Sequence, residues 1–192
     1  SEVGISQRHT GKEGTGYTYR PTLGPEWQLA IIAIEENYVR MEGIDIDGSN
    51  VDSNDMFYGL WIGQDTTPTL SDVRLDSLLL HDVTVYGTAD GDLFGIYMDA
   101  TNSIVTNCII YDLIVTNTHG SCTSKGIVNT SSNVGTHYWY NNTVFNLYSE
   151  ASYTYGIEST WATAHIKNNY VGYLVGGYDY AAYVGTFAAD AI

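Results

Sequence analysis

The sequence predicts an all-β solenoid: a stack of parallel coils of about five or six turns, a class that three observations support. A Gly-centred phrase returns four times, as Tyr58-Gly59-Leu60-Trp61, Phe94-Gly95-Ile96-Tyr97, Lys125-Gly126-Ile127-Val128 and Tyr155-Gly156-Ile157-Glu158, its glycines 36, 31 and 30 residues apart. Each is followed by a second short phrase: Ser77-Leu78-Leu79-Leu80, Asn107-Cys108-Ile109-Ile110, Asn141-Asn142-Thr143-Val144 or Asn168-Asn169-Tyr170-Val171. β-Branched and aromatic residues fill both phrases, and helix formers never gather over a capped stretch. One such coil cannot bury its own inner face, so its neighbours above and below must complete the core.

Residues 1–28 break the repeat. They hold Gly11, Gly14, Gly16 and Gly24 with Pro21 and Pro25, and read as an irregular capping segment. Residues 29–192 form the solenoid domain. Leu29 to Ile34 opens the first coil, with Ala30 where later coils place Gly, and Tyr38-Val39-Arg40-Met41 and Gly43-Ile44-Asp45-Ile46 supply its second half. Leu75 to Leu80 is the most helix-like piece, but its position in the repeat makes it a strand. Tyr180 to Val184 starts a last, less regular coil. At about 4.8 Å per coil the stack is about 25–30 Å tall. Asn107, Asn141 and Asn168 fall at equivalent places and suit an architectural side-chain ladder. His137 and His165 begin equivalent strands and are expected to be stacked neighbours. Cys108 reads as a small buried residue, with a disulfide to Cys122 as the alternative.

Composition narrows the partners. Seven Lys and Arg against 22 Asp and Glu give a net charge of −15. Beyond Arg74 the only cations are Lys125 and Lys167, so nucleic acid and anionic membranes are poor partners. No 18-residue apolar run offers a membrane span. Few charges beside abundant Gly, Thr, Ser, Asn and Tyr suggest an extracellular or surface-exposed protein.

The Gly-aliphatic phrases, the aligned Asn positions and Asn107-Cys108-Ile109-Ile110-Tyr111-Asp112 resemble right-handed parallel β-helix proteins of the pectate-lyase-like superfamily, over about residues 29–185. That resemblance implies an architecture more than an activity, because the fold hosts lyases, hydrolases, tailspikes, adhesins and purely structural proteins.

Candidate chemistry centres on the run Asp45 to Asp55. Asp45, Asp47, Asn50 and Asp52 place oxygen ligands around the Gly48 turn, in a pattern that suits Ca²⁺; a solvated turn is the alternative. No Glu closes the loop as in an EF-hand. Lyases of the resembled family need Ca²⁺-binding carboxylates and a base, and Arg40 and Arg74, at similar places in successive strands, are the nearest match. The aspartate motifs of the family's hydrolases are missing. No catalytic residue follows from the sequence.

Ten of the seventeen tyrosines lie between Tyr138 and Tyr183, enough to put aromatic columns on an outer face, where sugar rings or another subunit could stack. The stretch Tyr180 to Ile192 is apolar apart from Asp190, poor material for a cap facing water. These features favour a non-enzymatic structural or adhesive module, a subunit of an extracellular fibre, cell surface or virion that self-associates through its C-terminal end. A carbohydrate-active protein (lyase ahead of hydrolase) or a glycan-binding module is the alternative.

Overall fold

The computed structural model describes residues 8–24, 29–53, 55–63, 70–86, 91–116, 122–129, 135–150 and 152–184. Strand β1 (Tyr17–Tyr19) precedes a series of triplets. These are β2 (Leu29–Ile34), β3 (Arg40–Glu42) and β4 (Ile44–Asp47), then β5 (Phe57–Ile62), β6 (Val73–Asp76) and β7 (Leu79–Val85). Next come β8 (Leu93–Met98), β9 (Asn102–Thr106) and β10 (Ile109–Val115), then β11 (Ser124–Asn129), β12 (Thr136–Tyr140) and β13 (Thr143–Ser149). β14 (Tyr153–Ser159), β15 (Thr163–Lys167) and β16 (Tyr170–Val175) follow, and β17 (Tyr178–Val184) starts another.

Each strand pairs in parallel with the strand three places on, so the triplets stack into three sheets. Sheet 1 runs β2-β5-β8-β11-β14-β17, sheet 2 runs β3-β6-β9-β12-β15, and sheet 3 runs β1-β4-β7-β10-β13-β16. The chain is an all-β solenoid, with no helix among the described residues. The helix-like Leu75 to Leu80 run is divided between β6 and β7, as its place in the repeat requires.

Inward-facing residues form columns. Leu60, Ile96, Ile127 and Ile157 stack from sheet 1, Leu75, Val105 and Trp139 from sheet 2, and Leu80, Ile110 and Val144 from sheet 3. All ten are at most 1% exposed. Side chains thus meet their own kind one coil away, which explains why the sequence repeats residue types rather than exact residues.

The repeated glycine has a steric cause. A Cβ at Gly59 would lie 2.6 Å from the carbonyl oxygen of Gly95, and one at Gly95 would lie 2.6 Å from that of Gly126. Gly126 meets the Gly156 oxygen and Gly156 the Ala181 oxygen in the same way. The first coil departs from expectation here. Ala30 pairs with Tyr58, so Ile31 is the residue opposite Gly59.

The turn from sheet 2 into sheet 3 uses the left-handed backbone region at Gly43, Ser77, Asn107, Asn141 and Asn168, with φ of 69, 53, 55, 58 and 55°. Asn tolerates that region because its short amide bonds locally. The expected Asn ladder is therefore displaced by one residue. Asn142 Oδ1 accepts from the Cys108 amide at 3.0 Å, and Asn142 Nδ2 donates to Val105 O at 2.9 Å and Asn169 Oδ1 at 3.0 Å. Asn107, Asn141 and Asn168 shape the turn instead. Asn142→Ala would orphan a buried donor and a buried acceptor, and is expected to cost about 2–3 kcal/mol. Asn141→Gly should be nearly neutral, since Gly accepts positive φ. Urea unfolding of the two variants checks the contrast.

Cys108 and Cys122 are both buried and not joined by a disulfide, and burial pushes the Cys108 thiol up to about 12. The histidine expectation needs correcting. His137 pairs with Ala164 and is fully buried, whereas His165 pairs with Tyr138 and stacks on its ring.

Candidate functional site

The acidic run does not gather its four expected ligands into one exposed loop. Asp45 and Asp47 both lie on β4, buried beneath the N-terminal segment, while Asn50 and Asp52 lie on the exposed turn beyond it. Asp45 Oδ2 accepts from the Gly14 amide and the Thr18 hydroxyl, each at 3.0 Å, and Asp45 Oδ1 faces His81 Nε2 at 2.9 Å. Asp47 takes the Arg20 guanidinium on one oxygen and the Ser49 amide on the other. Burial would push the Asp47 carboxyl up, but the Ser49 bonds and Arg20 hold it below its ordinary value. A Ca²⁺ ion bound through all four residues would have to displace Arg20.

Arg40 and Arg74 do come together, paired on the outer face of sheet 2. Both reach Asp72, Arg40 Nη2 at 2.8 Å and Arg74 Nε at 3.2 Å. The two arginines hold the Asp72 carboxyl below its usual value. Half of their combined charge is offset locally, which leaves a weak site for a polyanion.

Aromatic ladders cover much of the outer surface. On sheet 1 one column reads Tyr58, Phe94, Lys125, Tyr155 and Tyr180, from β5 to β17. Tyr58 stacks on Phe94 with centroids 5.0 Å apart and planes 12° apart, and Tyr155 stacks on Tyr180 at 5.1 Å and 8°. Lys125 Nζ fills the one non-aromatic rung, 5.4 Å from the Phe94 centroid and 5.1 Å from that of Tyr155. Its charge meets Glu158 at 3.0 Å. Beside this column Tyr153 stacks on Tyr178 at 5.1 Å. On sheet 3, His81, Tyr111 and Phe145 form a third column, each pair 5.0 Å apart and within 10° of parallel.

The geometry decides what these rings can bind. A ring stacked at the coil spacing turns both faces to its neighbours and shows water only an edge. The exceptions are Phe145, which has Gly172 opposite it in the next coil, and the last rungs. Among the described residues no ring covers the far face of Tyr178, Tyr180 or His165, which lie on β17 and β15, the final strands of their sheets. Tyr178 is 64% and Tyr183 48% exposed. Phe187, in the expected C-terminal contact, lies outside the described residues.

His81 is buried between Asp45 and Asp82, whose Oδ2 lies 2.9 Å from its Nδ1. Burial alone would lower the imidazole's proton affinity, but bonds and charge from Asp82 and Asp45 raise it. Sequence reasoning missed this centre because its members come from β4 and β7, with no spacing that announces them. The chain matches no protein-family model, no curated protein and no solved structure.

Proposed function

We propose that this chain is a non-enzymatic structural or adhesive module, a right-handed member of the pectate-lyase-like β-helices that assembles end to end. One observation carries the reading: the tyrosine stacks of sheet 1 and the Tyr138–His165 stack of sheet 2 run in register to β17 and β15, and no ring among the described residues covers their far faces. A further coil placed there would meet Tyr178, Tyr180 and His165 at the spacing the inner coils already use, and would pair the edges of β15, β16 and β17 that no described strand pairs. A second copy is the occupant we favour, in an extracellular fibre, cell surface or virion.

The half-offset arginine pair and the edge-on rings of the inner ladder make this reading stronger than the carbohydrate-active one. Sugar rings stack on aromatic faces, and here neighbouring coils take those faces.

Replacing Tyr178, Tyr180 and Tyr183 together by Ser tests it by sedimentation and electron microscopy. The unaltered chain should form oligomers whose size grows with concentration, and the triple variant should stay monomeric with its β-rich circular dichroism intact. An unaltered chain that remains monomeric at high concentration would sink the proposal, as would cleavage of a polyuronate.

A further inference from the structure

We propose that the outer face of sheet 3 binds a divalent transition-metal ion of the zinc type between Glu13, His81 and Asp82, fastening the N-terminal segment to the solenoid. One ring nitrogen of His81 and one carboxylate oxygen from each acid lie within 4.8 Å of one another, and Nδ1 is the nitrogen that faces Asp82, at 2.9 Å. Donors about 2.0–2.2 Å from one ion stand about 3–4.4 Å apart, so only a small adjustment is needed. Glu13 is exposed and can make it.

The histidine is already oriented as a ligand. Its Nε2 faces the Asp45 carboxylate at 2.9 Å, and its ring lies flat on Tyr111, 5.0 Å between centroids and 6° between planes. A metal-bound imidazole commonly donates its second N–H to a carboxylate, which fixes the tautomer and makes the free nitrogen more basic. Asp45 has that role here. Its other oxygen is held by Gly14 and Thr18, on the same segment that carries Glu13. The segment that brings Glu13 thus also fixes the outer carboxylate when it docks.

Without metal, Nδ1 faces Asp82 Oδ2 at 2.9 Å, and a proton held there bridges the two. The ion displaces it to solvent, and Nδ1 and the Asp82 oxygen become ligands while Nε2–H stays on Asp45. Two carboxylates balance the charge of a divalent ion, and a water can fill the remaining position. An imidazole nitrogen in so small a donor set favours Zn²⁺ over Ca²⁺, which takes six to eight oxygens. Glu13 is far from His81 in sequence, so binding must tie the segment down and raise stability.

The test uses the full chain after EDTA treatment, titrated calorimetrically with ZnCl₂ and separately with CaCl₂, and melted with and without each. One Zn²⁺ should bind and raise Tm, with no shift from Ca²⁺ at the same concentration. Glu13→Gln and Asp82→Asn should each weaken Zn²⁺ at least about tenfold. Asp112→Asn, one coil along from Asp82, should leave it unchanged. His81→Asn should abolish binding; should that buried change prevent folding, the exposed Glu13 variant carries the test alone. Glu13→Gln binding Zn²⁺ as tightly as the unaltered chain would overturn the proposal, and so would no Zn²⁺ uptake. Neither result bears on end-to-end assembly, which is read by sedimentation.

Discussion

Gly95→Val is expected to destabilise the solenoid by more than about 3 kcal/mol, the largest single-residue effect anticipated here. A Cβ at Gly95 would lie 2.6 Å from Gly126 O and 3.0 Å from both Ile110 Cγ2 and Leu113 Cδ1. The first neighbour is backbone, held by the parallel ladder between β8 and β11, and cannot rotate away. The other two are packed core methyls without room to retreat. Gly95→Ala already introduces the clash and should cost about 2–3 kcal/mol, with the extra methyls of Val adding to it. Gly24→Ala is the control, because nothing lies within 4 Å of its Cβ position. Urea unfolding should place the Gly95 variants far below the parent and Gly24→Ala beside it. Equal midpoints for Gly95→Ala and Gly24→Ala would show that the coils can separate, and the steric account of the repeat would be wrong.

That account also shows what the sequence could reveal. Glycine recurs wherever one coil's backbone approaches the next, so the stack was legible from the spacing of Gly59, Gly95, Gly126 and Gly156. Parallel pairing followed, since successive phrases share one direction of alternation. One-residue errors were harder to avoid. The Asn ladder falls on Asn142 and Asn169 rather than on their neighbours, because Asn141 and Asn168 are used by the left-handed turn. Adjacent asparagines give no hint of which turns inward. Likewise His137 and His165 look equivalent, yet the pairing sets His137 beside Ala164 and sends it into the core.

The candidate sites were less legible still. Arg40 and Arg74 could be aligned because they share a place in the repeat, but Asp72 between them could not be foreseen as their shared partner. Glu13 lies on a segment outside the repeat, so no periodicity points from it to His81 and Asp82. Asp45 and Asp47 drew notice as loop oxygens, and β1 with the residues on either side of it is what turns them into buried acceptors. Contacts made by a non-repeating segment leave no mark on a repeat.

The second large effect expected is a loss of stability in mild acid that traces to His137. Its ring is fully buried between sheets 1 and 2, and burial lowers its pKa to about 4. The bonding pattern explains why no proton is welcome. Asn129 Nδ2 donates to Met98 O at 2.9 Å and to His137 Nε2 at 2.9 Å, so Nε2 must be an acceptor. Nδ1 then carries the hydrogen and donates to Ser103 Oγ at 2.8 Å. A second proton on Nε2 would point at the amide hydrogens of Asn129. Above pH 6.5 the ring is neutral in both the folded and unfolded chains, and the native state has its full stability. Between pH 6.5 and about 4 the unfolded chain takes up a proton that the folded chain refuses, so stability falls with pH. Over that window the loss approaches about 3 kcal/mol. His137→Gln removes the group, and the difference between the two stability profiles cancels every other titration, including the opposite one of His81. That difference should shrink by about 3 kcal/mol from pH 7.5 to 4, measured by urea unfolding of EDTA-treated protein. The carboxylates of Asp47 and Asp76 are held below 3.8, and what they contribute is lost only at lower pH. Parallel profiles would mean that His137 titrates normally in the folded chain. A nuclear magnetic resonance titration of its ring protons decides the matter should the Gln variant not fold, with a midpoint near 4 expected and one near 6.5 fatal to the argument.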